Sequence, residues 1–237
     1  MIKAALQYIV NLGNTEVIEH NGFKFANRQL TKLPEDTPAT FQTKTLAGLV
    51  ELIIKEHSHS SLNDLIIHVS SPTKVNVHTV LRGRLERFDL YTAVAELPQI
   101  TFDRYLDLEA MNIMLKSVFV QNDMRDELIA TLGTVKEEVV KTSSDDGFSQ
   151  SVVAKTGIAT VGNVKLPPIV KLAPYRTFLE IEQPEGEFLL RLHNGPEAAL
   201  LEADGGAWKL AARKNIKAYF EDALKDLIEQ GKVIVTE

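Results

Sequence analysis

Between Lys171 and Lys209 the chain reads KLAPYRTFLEIEQPEGEFLLRLHNGPEAALLEADGGAWK, and this stretch limits the fold more than any other. Three short segments alternate apolar with polar residues, which sends successive side chains to opposite faces of a strand. They are separated by Gln183-Pro184-Glu185-Gly186 and Asn194-Gly195-Pro196, where proline withholds a backbone donor and glycine reaches positive φ at little cost. The pattern predicts a β-meander over Tyr175–Glu182, Glu187–Leu192 and Ala198–Ala203. Gly205-Gly206 then opens into a helix carrying Leu210, Ala211, Ile216, Phe220, Leu224, Leu227 and Ile228, with Val233-Ile234-Val235 as a closing strand after Gly231.

Within the first segment, the period of two sets Tyr175, Thr177, Leu179 and Ile181 against Arg176, Phe178, Glu180 and Glu182. With the strands in register, Arg176, Glu180, Arg191 and Glu202 share a face on which opposite charges meet. A solvated ladder of this kind contributes only about 0–1 kcal/mol per pair. The same arginines are also the candidates for a ligand or partner contact, together with Tyr175, because forked guanidinium donors suit phosphate or carboxylate and a sheet holds them rigidly. Arg176, Arg191 and Tyr175 are thus the expected contact residues.

The rest of the chain supplies further elements. A short helix runs to Val10, and the strands Glu16–His20 and Phe23–Phe25 flank Asn21-Gly22, a dipeptide suited to a hairpin turn. Leu46, Leu49, Val50, Ile53 and Ile54 recur at helical spacing behind the capping candidates Thr43 and Thr45. Leu65-Ile66-Ile67-His68-Val69 reads as a central strand, and Val75 and Val77 alternate in the next. Two helices follow, one with Leu106, Ala110, Ile113, Met114 and Val118, the other with Leu128, Ile129, Leu132, Val135 and Val139 behind Asn122 and Asp123. Ser143–Gly147 is a polar turn at which the chain divides into halves, and Ser151–Val161 resumes a strand.

Several clusters invite chemistry. His57-x-His59 could share a metal if a third ligand approached, and Asp103, Asp107 and Glu109 are carboxylates at a helix start, where they favour the helix dipole. Arg82, Arg84 and Arg87 lie near Phe88 and Tyr91, the combination that serves single-stranded nucleic acid, although Glu86 and Asp89 interrupt the positive run. Asp145, Asp146, Glu202 and Asp204 are the carboxylates that a Mg²⁺-dependent phosphodiesterase would draw on, without the spacing of a known motif. The glycines before the last helix lack the Lys-Ser/Thr of a P-loop. No metal, cofactor or catalytic residue is expected from these patterns.

The runs Leu172-Ala173-Pro174-Tyr175-Arg176-Thr177-Phe178, Glu182-Gln183-Pro184 and Glu202-Ala203-Asp204-Gly205-Gly206-Ala207-Trp208, with Ser144-Asp145-Asp146-Gly147 upstream, resemble the YfdQ-like family of tailed-phage and prophage proteins. The resemblance implies a viral setting, a protein made in the host bacterial cytoplasm during infection or carried in a prophage, and it transfers no functional residue.

Composition enters at two points. The chain has no cysteine, so it can have neither disulfides nor thiolate chemistry, and its 237 residues at net charge −6 suit an acidic globular protein that phosphate backbones would repel. No apolar stretch approaches the ~20 residues of a membrane-spanning helix. The expectation is an α+β fold with antiparallel strands in both halves and amphipathic helices packed against them, over one globular unit with lobes 1–142 and 143–237. The expected role is non-enzymatic: a homo-oligomeric binding or scaffolding protein with phage or host protein partners, no membrane and no favoured nucleic acid. The competing expectation is a metal-dependent enzyme or a single-stranded nucleic-acid-binding protein of phage DNA metabolism.

Overall fold

The chain turns back after His20, as the sequence predicts. After the helix α1 (Ile2–Gly13), strand β1 (Val17–His20) pairs antiparallel with β2 (Phe23–Ala26), and Asn21 between them takes φ 52°, a conformation asparagine tolerates. These elements form a compact unit, Met1–Pro38, distinct from a second unit, Ala39–Glu237. The structure is a computed structural model that describes residues 2–13, 16–21, 23–26, 39–59, 64–81, 86–134, 151–156, 159–165, 167–193 and 197–237. Asp145, Asp146, Val135, Val139, Arg82 and Arg84 lie outside the described residues, as does the expected boundary at 142/143.

The second unit begins with β3 (Phe41–Thr43), α2 (Leu46–His59), β4 (Leu65–Ser71), β5 (Lys74–Thr79) and β6 (Asp89–Val94). It continues through β7 (Leu106–Asp107), α3 (Leu108–Val118), α4 (Asp123–Thr134), β8 (Ser151–Thr156), β9 (Ala159–Lys165), β10 (Ile169–Leu172), β11 (Gly186–His193) and β12 (Glu197–Glu202). It closes with α5 (Trp208–Ala223), α6 (Lys225–Glu229) and β13 (Val233–Thr236). The fold is α+β.

One sheet has the order β13-β4-β5-β6-β3 and the other β10-β11-β12-β7, while β8 and β9 form a separate hairpin. In the five-stranded sheet Leu65, Ile67, Val69, Val75 and Val77 are buried in one core with Leu46, Leu49 and Ile53 of α2 and Ile216 and Phe220 of α5. The second core joins Phe188, Leu190 and Leu192 of β11 to Met111 and Leu115 of α3 and Leu128 and Leu132 of α4. Helix starts are capped by their own sequence: the Ala110 amide donates to Asp107 Oδ1 at 2.7 Å and the Arg125 amide to Asn122 Oδ1 at 2.8 Å.

Three features add to or correct the expectations. First, beside the antiparallel pairs expected in both halves, β13–β4 and β3–β6 pair in parallel, since both edge strands are joined to the sheet through helices and not through hairpins. Second, Ser151–Val161 is not one strand but parts of the β8–β9 hairpin. Third, Tyr175–Glu182 is not a strand: the meander's first member is β10, which pairs with β11 from Ile169↔Leu189 to Leu172↔Gly186, and residues 173–185 form an irregular crossing. Both large sheets take strands from either side of residue 142. Among the described residues no helix is long and apolar enough to cross a membrane.

Candidate functional site

The crossing at 173–185 is irregular yet buries Arg176, Thr177, Phe178 and Gln183, and one side chain explains how. Gln183, 7 % exposed, accepts the backbone amides of Arg176 at 3.1 Å and Thr177 at 3.2 Å through Oε1, and donates through Nε2 to the carbonyls of Phe178 at 2.9 Å and Ile181 at 3.2 Å. It supplies the hydrogen bonds that a partner strand would otherwise give. The alternation in this segment is therefore a decoy. Arg176, Thr177 and Phe178 are all buried, on what would be both faces of a strand.

The crossing also ties the two sheets together. Thr177 Oγ1 donates to the Pro72 carbonyl at 2.5 Å in the β4–β5 turn, Phe178 enters the core of the five-stranded sheet, and Glu180 Oε1 accepts the Leu46 amide at 2.7 Å. Glu180 thereby caps α2 and favours its N-terminal dipole. The expected pairing of Glu180 with an arginine ladder gives way to this role.

Arg176 is 7 % exposed, so it is no member of a solvated face. Its Nη1 donates to Glu202 Oε1 at 2.7 Å, and its Nη2 stands 3.8 Å from Asp204 Oδ2. The guanidinium lies over the Trp208 ring, 4.0 Å from its centroid, and 5.7 Å from that of Phe188. Burial pulls its pKa below the ordinary value, and the Glu202 and Asp204 carboxylates act against that shift. Gly186 makes the arrangement feasible, because a Cβ there would collide with Arg176 Nη2 and come within 3.0 Å of Asp204 Oδ2.

The other two expected contact residues are placed differently. Alternation along β11 buries Phe188, Leu190 and Leu192 and turns Arg191 to the opposite face, away from the Phe188 side on which Arg176 packs. Tyr175 is half-buried, and its amide donates to the Val118 carbonyl at 2.9 Å. Sequence reasoning missed Gln183 and Trp208 as members of this cluster. The available signal was that Trp208, the only tryptophan, opens a helix directly after Asp204-Gly205-Gly206-Ala207.

Beside this cluster lies a cavity of about 520 Å³ between the start of α5 and the sheet, lined by Gly186, Ala203, Asp204, Ala207, Trp208 and Ala211, with Lys171, Glu185 and Glu187 around them. Four polar atoms of the cluster are enclosed without a hydrogen-bond partner: Arg176 Nε and Nη2, Trp208 Nε1 and Asp204 Oδ2. The other Asp204 oxygen accepts the Gly206 amide at 2.9 Å. A second cavity, of about 590 Å³, lies between the end of α2 and α5–α6, lined by residues that include Ile54, His57 and Leu227. His57 Nε2 is enclosed there without a partner, and the side chain of His59 lies outside the described residues.

Of the carboxylates expected for metal chemistry, Glu202 and Asp204 are the two drawn to Arg176. Among the described residues no group of three or more His, Cys, Asp or Glu side chains is placed to hold a metal ion. No family model, curated protein or solved structure matches the chain.

Proposed function

We propose that this is a non-enzymatic, homo-oligomeric binding or scaffolding protein of a phage or prophage, working in the host cytoplasm. The observation that carries the self-association is the surface of the Met1–Pro38 unit. Along α1, Ile2, Leu6 and Ile9 form one stripe and are 79 %, 57 % and 63 % exposed. In the hairpin, the pairing Ile18↔Phe25 and His20↔Phe23 puts Ile18, Phe23 and Phe25 on one face, again all more than half exposed. A unit of this size without cysteine has no disulfide to stabilise it, and units below ~40 residues ordinarily depend on association, metals or disulfides.

A second copy is the occupant that the charges favour. Residues 1–38 hold four Lys or Arg and four Asp or Glu, so the unit is neutral while the whole chain carries −6, and two copies can meet here without charge repulsion. The phage setting rests on the family resemblance of the Leu172–Phe178 and Glu202–Trp208 runs alone. Light scattering at micromolar concentration tests the association: a mass of two or more chains is expected. A strict monomer, with no partner retained in a pull-down from infected cells, would overturn the reading.

A further inference from the structure

We propose that His68 and His78 form a two-histidine site for a divalent transition-metal ion, Zn²⁺, Ni²⁺ or Cu²⁺, on the face of the five-stranded sheet opposite its helices. The inference goes beyond the binding role proposed above and does not depend on it. Leu65, Ile67, Val69, Val75 and Val77 join the core made with α2 and α5, so alternation sends His68 of β4 and His78 of β5 to the other side. There both residues are half-buried. Register sets His68 opposite Asn76 and His78 opposite Ile66, which makes the histidines diagonal neighbours with ring centroids 6.4 Å apart. They are too far apart in sequence to form a ligand motif, so the spacing patterns that gave no metal site did not reach them.

Which nitrogen each ring offers follows from its hydrogen bonds. His78 Nδ1 lies 2.6 Å from Asp89 Oδ1 on β6, and an ionised carboxylate only accepts, so this nitrogen carries a proton. His68 Nδ1 lies 3.3 Å from Thr236 Oγ1 on β13, and that hydroxyl donates its own proton to the Ile67 carbonyl at 3.3 Å, so it too accepts from the ring. In the neutral imidazoles Nε2 is therefore the lone-pair nitrogen of both residues, the form that binds a metal. The strand order β13-β4-β5-β6 then fixes direction. Each Nδ1 is turned outward, to the strand on the far side of its own, and Nε2 lies on the opposite flank of an imidazole. The two lone pairs consequently lean toward the gap between β4 and β5.

A metal-binding histidine characteristically donates its other N–H to a carboxylate or another oxygen, and both rings already do so. A tetrahedral ion with Nε2 bonds of about 2.0–2.1 Å needs the ring centres roughly 5 Å apart, so a side-chain rotation of about 1 Å closes the site. The Asn76 amide beside the pair is already engaged, donating to Ser70 Oγ at 3.3 Å and accepting from Thr92 Oγ1 at 3.1 Å, so water completes the coordination. Imidazole nitrogen selects these ions over Mg²⁺ and Ca²⁺, which take oxygen ligands.

Isothermal titration of the full-length protein with Zn²⁺ at neutral pH tests the site. Saturable binding is expected that weakens at least about tenfold in His68→Gln and in His78→Gln, and by about 10–100-fold in Asp89→Asn, which leaves the ligands in place but loosens the His78 ring. The double variant His57→Gln/His59→Gln removes the other close pair of histidines and should bind as the wild type does. Long-range proton–nitrogen spectra of the imidazoles should show the Nε2 resonances of His68 and His78 moving together as Zn²⁺ is added. Absence of saturable binding, binding that survives unchanged in both single histidine variants, or binding lost only with His57 and His59 overturns the proposal.

Discussion

Residues 173–185 and the Met1–Pro38 unit are opposites. The crossing has almost no regular structure but buries Arg176, Thr177, Phe178 and Gln183, whereas the described residues of the N-terminal unit lie mostly in a helix and a hairpin that leave Ile2, Leu6, Ile9, Ile18, Phe23 and Phe25 exposed. Backbone regularity and burial are thus separate achievements. A helix or hairpin satisfies its own hydrogen bonds and needs no core to do so, while an irregular segment enters a core only if side chains satisfy its backbone. Gln183 does that here, and nothing equivalent demands a partner for α1 except its apolar stripe.

Four substitutions test the contrast, in falling order of effect on stability. Phe178→Ala should cost the most, about 4 kcal/mol in urea unfolding, because a ring 1 % exposed leaves a cavity in the core shared with α2 and α5. A loss under about 1 kcal/mol would show that the crossing is not anchored there. Gln183→Ala should follow at about 3 kcal/mol, since it strands two amides and two carbonyls at once. Hydrogen exchange ought to show the amides of Arg176 and Thr177 losing protection in that variant before those of β11 do.

Glu180→Ala should cost about 1 kcal/mol through the lost cap on α2, and the loss should appear in the stability of the five-stranded sheet although residue 180 lies in the crossing. The smallest effect on folding is expected in the other region. Ile9→Asp should change the unfolding free energy of the Ala39–Glu237 unit by less than about 0.5 kcal/mol, yet lower the mass seen by light scattering to that of one chain. An unchanged mass would remove α1 from the association surface.

The same contrast explains what could be read in advance. In β11 the inward set Phe188, Leu190 and Leu192 was legible because one face meets a core and the other does not, and α2 and the closing strand β13 were legible for the same reason. The N-terminal hairpin was marked by its turn residues. Tyr175–Glu182 misled because its alternation is real in the sequence but its hydrogen bonds go to Gln183, seven residues along from Arg176, and no periodicity encodes that partner. Parallel pairing of β3 with β6 and of β13 with β4 was equally invisible, since each depends on where a helix delivers the chain. Of the candidate site, Arg176 was found from its residue type, but neither its ion pair with Glu202 nor its stacking on Trp208 follows from strand register, because both contacts are made from the irregular crossing and not from a strand.

The place of β13 bears on how the chain comes off a ribosome. Val233 pairs with Leu65, and Phe220 and Ile216 of α5 complete the core that α2 begins over the sheet, so the early half of the sheet has an open edge and a face covered by α2 alone until α5 and β13 emerge. His68 and Thr236, hydrogen-bonded neighbours in the finished sheet, are 168 positions apart in synthesis order. At about 5–20 residues per second that separation lasts roughly ten to thirty seconds. During this interval β4, β5 and β6 are a nascent hydrophobic surface awaiting its lid, and a ribosome that stalls after residue 207 leaves a product whose first sheet can never close.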